Sequence, residues 1–256
     1  MSKRVCVFVD GENLRHSIVE AFRNQELFES YQYLPPRANW GDFFDWIVDE
    51  VTESRGRRLR AYWYMIDGLA FHPYGLKNLK NPGKERKARE ILSKNRAFRA
   101  ELSGLMERQI IQKVEEKLDQ LISEQQKISS RFEGWKEVQE GIAKRHRSIE
   151  FRRSGVMSYR LFEKKFGQEK AVDVKLACDM LILREIYDVA IIVSGDQDYV
   201  PAVEIVKDSG KEVYNVSFKK MNGELVPGGA RQLKIKTDDS FEIPYPDLKR
   251  HMGLGQ

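Results

Sequence analysis

Residues 189–203, Val-Ala-Ile-Ile-Val-Ser-Gly-Asp-Gln-Asp-Tyr-Val-Pro-Ala-Val, place five apolar and mostly β-branched residues directly before an acidic turn and a helix start. A short unbroken apolar run bounded by turn residues is the pattern of a strand buried on both faces, as parallel sheets require. The same grammar opens the chain, where Arg4-Val-Cys-Val-Phe-Val9 runs into Asp10-Gly11. Between and around these two strands, apolar residues at helical spacing predict helices from Asn13 to about Phe28 and over Trp40 to Glu53. Leu59 to Ile66, dense in aromatics and stopped by Asp67-Gly68, reads as a further strand. Later segments predict an extended Val156 to Leu161, helices over Lys170 to Glu185 and Asp198 to Lys207, a strand over Glu212 to Val216, and an edge element over Lys234 to Ile243. Strands alternating with helices imply an α/β fold, a parallel sheet covered on both faces.

The middle of the chain follows different rules. No proline occurs between Pro82 and Pro201, and residues 84 to about 148 are rich in Lys, Arg, Glu, Gln and Leu. From Ile111 the apolar positions step by three and four through Val114, Leu118, Leu121, Ile128, Phe132, Trp135, Val138 and Ile142, with Gln125 out of pattern. That is close to a heptad and predicts a coiled-coil-like arm. Such a row must be covered, by a hairpin fold-back near Ser123 to Ser130, by the α/β core, or by a second chain in a homodimer. The organisation expected is an α/β domain from residues 1–70 and 155–245, a helical insertion at 71–154, and a tail at 246–256.

Charge follows the same division. The chain of 256 residues carries 44 Lys and Arg against 39 Asp and Glu, a net +5. Residues 77–153 hold 20 of the bases and only 12 of the acids, so the excess lies there. The first part of that segment is the most basic, with Lys77, Lys80, Lys84, Arg86, Lys87, Arg89, Lys94, Arg96 and Arg99 against only Glu85 and Glu90, able to neutralise a polyanion or simply to solvate a helix face. Cys6 and Cys178, each inside an apolar run, make no disulfide framework, and four scattered histidines make no Cys/His zinc site. No apolar stretch reaches the roughly 18 residues of a membrane span. A cytoplasmic protein is expected. The first strand is followed by no G-x-G-x-x-G, and no G-x-x-x-x-G-K-[ST] or G-x-S-x-G occurs, which argues against nucleotide-dependent and α/β-hydrolase chemistry.

In an open parallel sheet the functional crevice lies beyond the carboxyl ends of the strands. Asp10 follows one predicted strand, and Asp196 follows another through Ser194-Gly195. Asp173, in the first turn of its helix, joins them if that helix starts at the same edge. Three such carboxylates raise one another's pKa unless a cation neutralises them. Magnesium or manganese suits an all-oxygen site of this kind. Each acid also has a plain structural explanation: Asp10-Gly11 as a turn, Asp173 as a favourable charge at a helix N-terminus, Asp198 as an N-cap before Pro201. Asp179 lies six residues beyond Asp173, on a different face of the helix, and is assigned a supporting role with Ser194.

Three segments together, Val9-Asp10-Gly11-Glu12-Asn13, Lys170-Ala-Val-Asp173-Val-Lys-Leu-Ala-Cys-Asp179 and Ser194-Gly195-Asp196-Gln-Asp198-Tyr199-Val-Pro201-Ala-Val203, resemble the motifs of the NYN domain family. That family is the LabA-like branch of the PIN-like nucleases, and Asp238 to Phe241 resembles its closing segment. The resemblance covers residues 1 to about 70 and 155 to 245, not the helical arm. It implies a Rossmann-like sheet, a magnesium or manganese site, and hydrolysis of RNA phosphodiesters. By position it makes Asp10, Asp173 and Asp196 the acidic core, Asp198 a fourth ligand, Asn13 a catalytic neighbour and Lys170 a phosphate contact. A single-stranded or structured RNA is the implied substrate, with DNA not excluded. The competing reading is a catalytically silent nucleic-acid-binding or scaffold protein that works through the basic arm.

Overall fold

The computed structural model describes residues 2–22, 33–35, 37–167, 171–226 and 231–254. Its elements in chain order begin with β1 (Lys3–Asp10), α1 (Gly11–Phe22), α2 (Trp40–Thr52), β2 (Gly56–His72), α3 (Leu76–Leu79), α4 (Glu85–Leu92), α5 (Arg96–Glu101) and α6 (Glu107–Arg145). They continue with β3 (Ile149–Arg160), β4 (Lys165–Phe166), α7 (Ala171–Ile182), β5 (Val189–Val193), α8 (Val200–Asp208), β6 (Glu212–Lys219), β7 (Leu225–Val226), α9 (Arg231–Lys236), β8 (Asp239–Ile243) and α10 (Tyr245–His251). The chain forms two compact units, one of residues 1–66, 137–154 and 170–256, the other of 67–136 and 155–169.

The first unit is built on a mostly parallel sheet in the order β3-β2-β1-β5-β6-β7, with β8 also pairing β6. β1 runs parallel to both neighbours, with Val9 opposite Trp63 of β2 and Val9 opposite Val193 of β5. Chain order therefore reverses at β1: β2 lies to one side, β5 and β6 to the other. That reversal is the switch point at which open α/β sheets leave a crevice. The predicted apolar runs are fully covered, since Val5 to Val9 and Val189 to Val193 are all 0% exposed. This is the mixed α/β architecture, a sheet flanked by helices together with one long helix, that the alternation of elements led us to expect.

Several boundaries differ from the sequence reading. β2 does not stop at Asp67-Gly68 but continues to His72, because its neighbour β3 sustains the strand where isolated turn chemistry would end it. Residues 234–243 are not one edge element. They divide into the end of α9 and β8, which joins β6 in parallel with Tyr214 opposite Asp239. The predicted first helix extends beyond Phe22 only into residues outside those described.

The second unit contains the front of the predicted arm. Breaks near Asn95 and Gly104 interrupt the helical tract, and Asn95 caps α5 by accepting from the Phe98 amide at 3.0 Å. From Glu107, however, α6 is one continuous 39-residue helix with no fold-back at Ser123 to Ser130, and Gly134 is absorbed within it. Its apolar row starts at buried Ile110, whereas Ile111 is 38% exposed. Ile110, Val114, Leu118 and Leu121 pack with Leu76, Leu79, Leu92, Phe98 and Leu102 of the short helices α3 to α5 and the turn after α5. The chain's own short helices thus cover this part of the row, for which the sequence had left open a hairpin, the α/β core or a second chain. Among the described residues, no helix is long and apolar enough to cross a membrane.

Candidate active site

The crevice residues are positioned by the register of β1 and β5. With Val9 opposite Val193, Asp10 and Ser194 leave the sheet side by side. The Ser194 hydroxyl donates to Asp10 Oδ2 at 2.9 Å and accepts the Asp196 amide at 3.1 Å. Asp10 Oδ1 accepts the Asn13 amide at 3.1 Å, so Asp10 also caps the first turn of α1. Asn13 reaches across in turn, its carboxamide oxygen accepting the Gly195 amide at 3.1 Å. The two strand exits are thereby laced together. Gly11 is required by close approach: an added Cβ would stand 1.9 Å from Met65 Sδ and 2.5 Å from the Tyr64 carbonyl oxygen.

Tyr199, quoted in the third motif but assigned no role from sequence, is the centre of the cluster. It is completely buried, and its hydroxyl lies 2.9 Å from Asp173 Oδ1 and 3.3 Å from Asp10 Oδ2. Burial raises the Tyr199 pKa, and the negative charges of Asp10, Asp173 and Asp196 raise it further. All three predicted core acids therefore act electrostatically on one phenol. The only sequence signal for this was an aromatic hydroxyl between an acidic turn and a helix. Asp10 responds in kind. Burial pushes its pKa up to about 6, against the lowering effect of the Asn13 amide and Ser194 and with the support of Asp173 and Asp196.

The cap that local pattern assigned to Asp198 belongs to Asp196 instead. Asp196 is the cap, its Oδ1 accepting the Asp198 amide at 2.9 Å ahead of the 3-10 turn Gln197–Tyr199. Asp198 is exposed and lines, with Asp173, Gln197 and Pro201, a cleft of ≈ 680 Å³. Asp179 does not line this cleft. It is buried and accepts from Arg152 at 2.6 Å, Lys175 at 2.8 Å and the Tyr64 hydroxyl at 3.1 Å. Burial alone would raise its pKa, but Lys175 and Arg152 outweigh that and hold it below the ordinary carboxylate value. Since Tyr64 is the β2 partner of Asp10, Asp179 fixes the strand beside the site.

Lys170 lies outside the described residues. Lys84, Arg86, Lys87 and Arg89 belong to the second unit, at the start of and along α4. Their field is less uniformly basic than the sequence suggested, because Arg89 pairs with Glu107 at 3.2 Å. Arg86 and Arg89 also line a cavity of ≈ 650 Å³ whose rim includes Glu85, Glu115 and Asp119.

The donor set at the strand exits is oxygen only, and its members are acids gathered on a hydroxyl. That chemistry fits a hard divalent cation. Among the described residues, no group of three or more His, Cys, Asp or Glu side chains is arranged to hold a metal ion. Asp10 and Asp173 meet at the Tyr199 hydroxyl, and Asp196 is tied to Asp10 through Ser194.

Comparison with known families gives one match: the NYN domain model matches residues 120–228. The match begins inside α6 and includes Asp173, Ser194, Asp196 and Asp198, but not β1 or α1. No curated protein matches the chain. The chain is also similar to a crystal structure of a protein of unknown function from Vibrio parahaemolyticus, at 15% identity and a TM-score of 0.43, over 94% of this chain and 93% of that one.

Proposed function

We propose that the chain, matched by the NYN domain model over residues 120–228, belongs to that family of the PIN-like superfamily and is a metal-dependent ribonuclease acting in the cytoplasm. NYN domains are generally nucleases. The observation that carries the reading is the gathering of Asp10, Asp173 and Asp196 around Tyr199 at the switch point of the sheet. Asp10, Asp173 and Asp196 are the proposed ligands, with Asp198 reaching the site from the cleft. A magnesium or manganese ion, if held there, would supply an acidified water and charge neutralisation for phosphodiester hydrolysis.

The chain's own groups prepare that chemistry. Ser194 and the Asn13 amide hold the Asp10 carboxylate in one orientation. Asn13 fixes the Gly195 backbone, so that the loop bearing Asp196 and Asp198 keeps its place relative to β1. The Tyr199 hydroxyl donates to Asp173, with Asp10 Oδ2 at 3.3 Å as a second acceptor, which favours the charged form of these two acids. Asp173 and Asp198 line one cleft, where an incoming strand meets them. Lys84, Arg86, Lys87 and Arg89, with Lys170, supply phosphate contacts. Asp179 acts at a distance by holding Arg152, Lys175 and Tyr64.

The test is cleavage of labelled RNA and DNA by the purified full chain with manganese and with chelator. Manganese-dependent cutting of RNA that disappears in Asp196→Asn is the expected result. Tight binding of RNA without any cutting would overturn the nuclease reading and favour the silent nucleic-acid-binding protein.

A further inference from the structure

The second unit contains a further cleft, which holds none of the motif residues and takes Lys94 and Arg96 from the basic segment. It measures ≈ 910 Å³ and is lined by His72, Tyr74, Lys94, Arg96, Arg160 and Phe162, with Glu163 as its one acid. Lys94, Arg96 and Arg160 are all exposed, and among the described residues no carboxylate lies within ion-pair distance of any of them. This contrasts with Arg89, whose charge Glu107 meets. Tyr74 is 65% exposed, an unusual position for a large ring. It is held rather than loose: its hydroxyl bonds His72 Nε2 at 2.8 Å, and the two ring centroids are 4.1 Å apart. Phe162 is half-buried, with the Lys117 ammonium 5.5 Å from its ring centroid.

Three unneutralised cations around a fixed, solvent-facing aromatic ring answer two needs of one ligand class. The cations suit a chain of phosphates, and the ring suits an unstacked base. We propose that this cleft binds single-stranded nucleic acid, with a base stacked on Tyr74 and the backbone followed by Lys94, Arg96 and Arg160. An acidic peptide would satisfy the cations but leave the ring without a partner. A duplex would satisfy the phosphates but keep its bases inside the helix, where Tyr74 cannot stack on them. The Lys84 to Arg89 cluster then serves as a diffuse attractive field, while base contact belongs to this cleft. The inference depends on the nuclease reading only for its biological substrate, not for its geometry.

The experiment is equilibrium binding of fluorescent homopolymeric RNA and DNA strands to the full chain in chelator, so that cleavage plays no part. Tyr74→Ala is expected to weaken binding about tenfold and Tyr74→Trp to restore it, since one stacked base contributes a factor of this order. The combined Lys94→Ala, Arg96→Ala and Arg160→Ala variant should lower the log-log salt slope by about 2, at about 0.7 per lost phosphate contact. Comparison of the RNA and DNA arms identifies which strand the cleft prefers. Unchanged affinity in Tyr74→Ala, or displacement by polyglutamate as effective as by unlabelled strand, would overturn the proposal. Cleavage is scored separately: a chain that binds through Tyr74 but never cuts would refute the nuclease reading alone, and one that cuts but whose affinity is unchanged in Tyr74→Ala would refute this inference alone.

Discussion

The hydroxyl of Tyr199 donates to Asp173 Oδ1 at 2.9 Å, joining the start of α8 to the first turn of α7. A phenol with no exposed surface is thereby the common neighbour of acids from three separate segments. Tyr199→Phe keeps the ring and removes the donor. Loss of a hydrogen bond to a charged group should cost roughly 2 kcal/mol. Urea unfolding in chelator checks this. Because Tyr199 acts by positioning the acids, its loss should also shift the manganese dependence of cleavage more than the KM for RNA. An unfolding midpoint equal to that of the parent would show that the bond contributes nothing.

Asp196→Asn separates charge from structure. Asparagine can still accept the Asp198 amide and cap the turn, so the fold is retained. Removal of one negative charge near Tyr199 and Asp10 should leave the metal-free protein at least as stable as the parent. Calorimetric titration should show manganese binding lost together with RNA cleavage. Asp196→Ala, by contrast, loses the cap as well and should cost about 1 kcal/mol.

The buried ion cluster at Asp179 should be visible in acid. Its side chain is 4% exposed, while that of Arg152 is 20% exposed. Asp179→Asn leaves that guanidinium with Glu150, 2.9 Å away, as its remaining charged partner and should destabilise by about 2 kcal/mol. The Asp179 pKa is held below its ordinary value. Its contribution is therefore complete above the unfolded carboxylate value of about 4 and declines as pH falls through the lower folded value. Urea unfolding of both proteins across that acid range checks it: the parent should lose stability there and Asp179→Asn should lose less.

Two glycines should respond to alanine in opposite directions. At Gly11 the new methyl would collide with Met65 Sδ and with the Tyr64 backbone, which cannot move without displacing β2. Gly11→Ala should lower stability by about 3 kcal/mol and impair the site, since α1 begins there. At Gly134, within α6, nothing lies within 4 Å of the added Cβ. Gly134→Ala should stabilise by about 1 kcal/mol, raising Tm by about 2 to 4 °C. Calorimetric scans of both variants decide it.

The fold class was legible because burial writes itself into composition. Val189 to Val193 and Val5 to Val9 can only be strands covered on both faces, and the acids that follow them can only emerge at strand ends. The α/β alternation and the juxtaposition of Asp10 with the Ser194 to Asp198 loop were therefore readable from local pattern and resemblance. The sequence also marked a long helical tract, since 3.6-residue periodicity needs no knowledge of what lies opposite it.

What covers a face is decided by residues distant in sequence, and there local pattern could not choose among alternatives. Only packing showed that α3 to α5 cover Ile110 to Leu121, and only pairing with β3 carried β2 through Asp67-Gly68. The same holds inside the site. Capping by Asp196 rather than Asp198, and the bridge from Tyr199 to Asp10 and Asp173, depend on where two strand exits and two helices meet. A hydroxyl acquires such a role from three-dimensional neighbours contributed by segments 189 residues apart, a relationship that no linear spacing encodes.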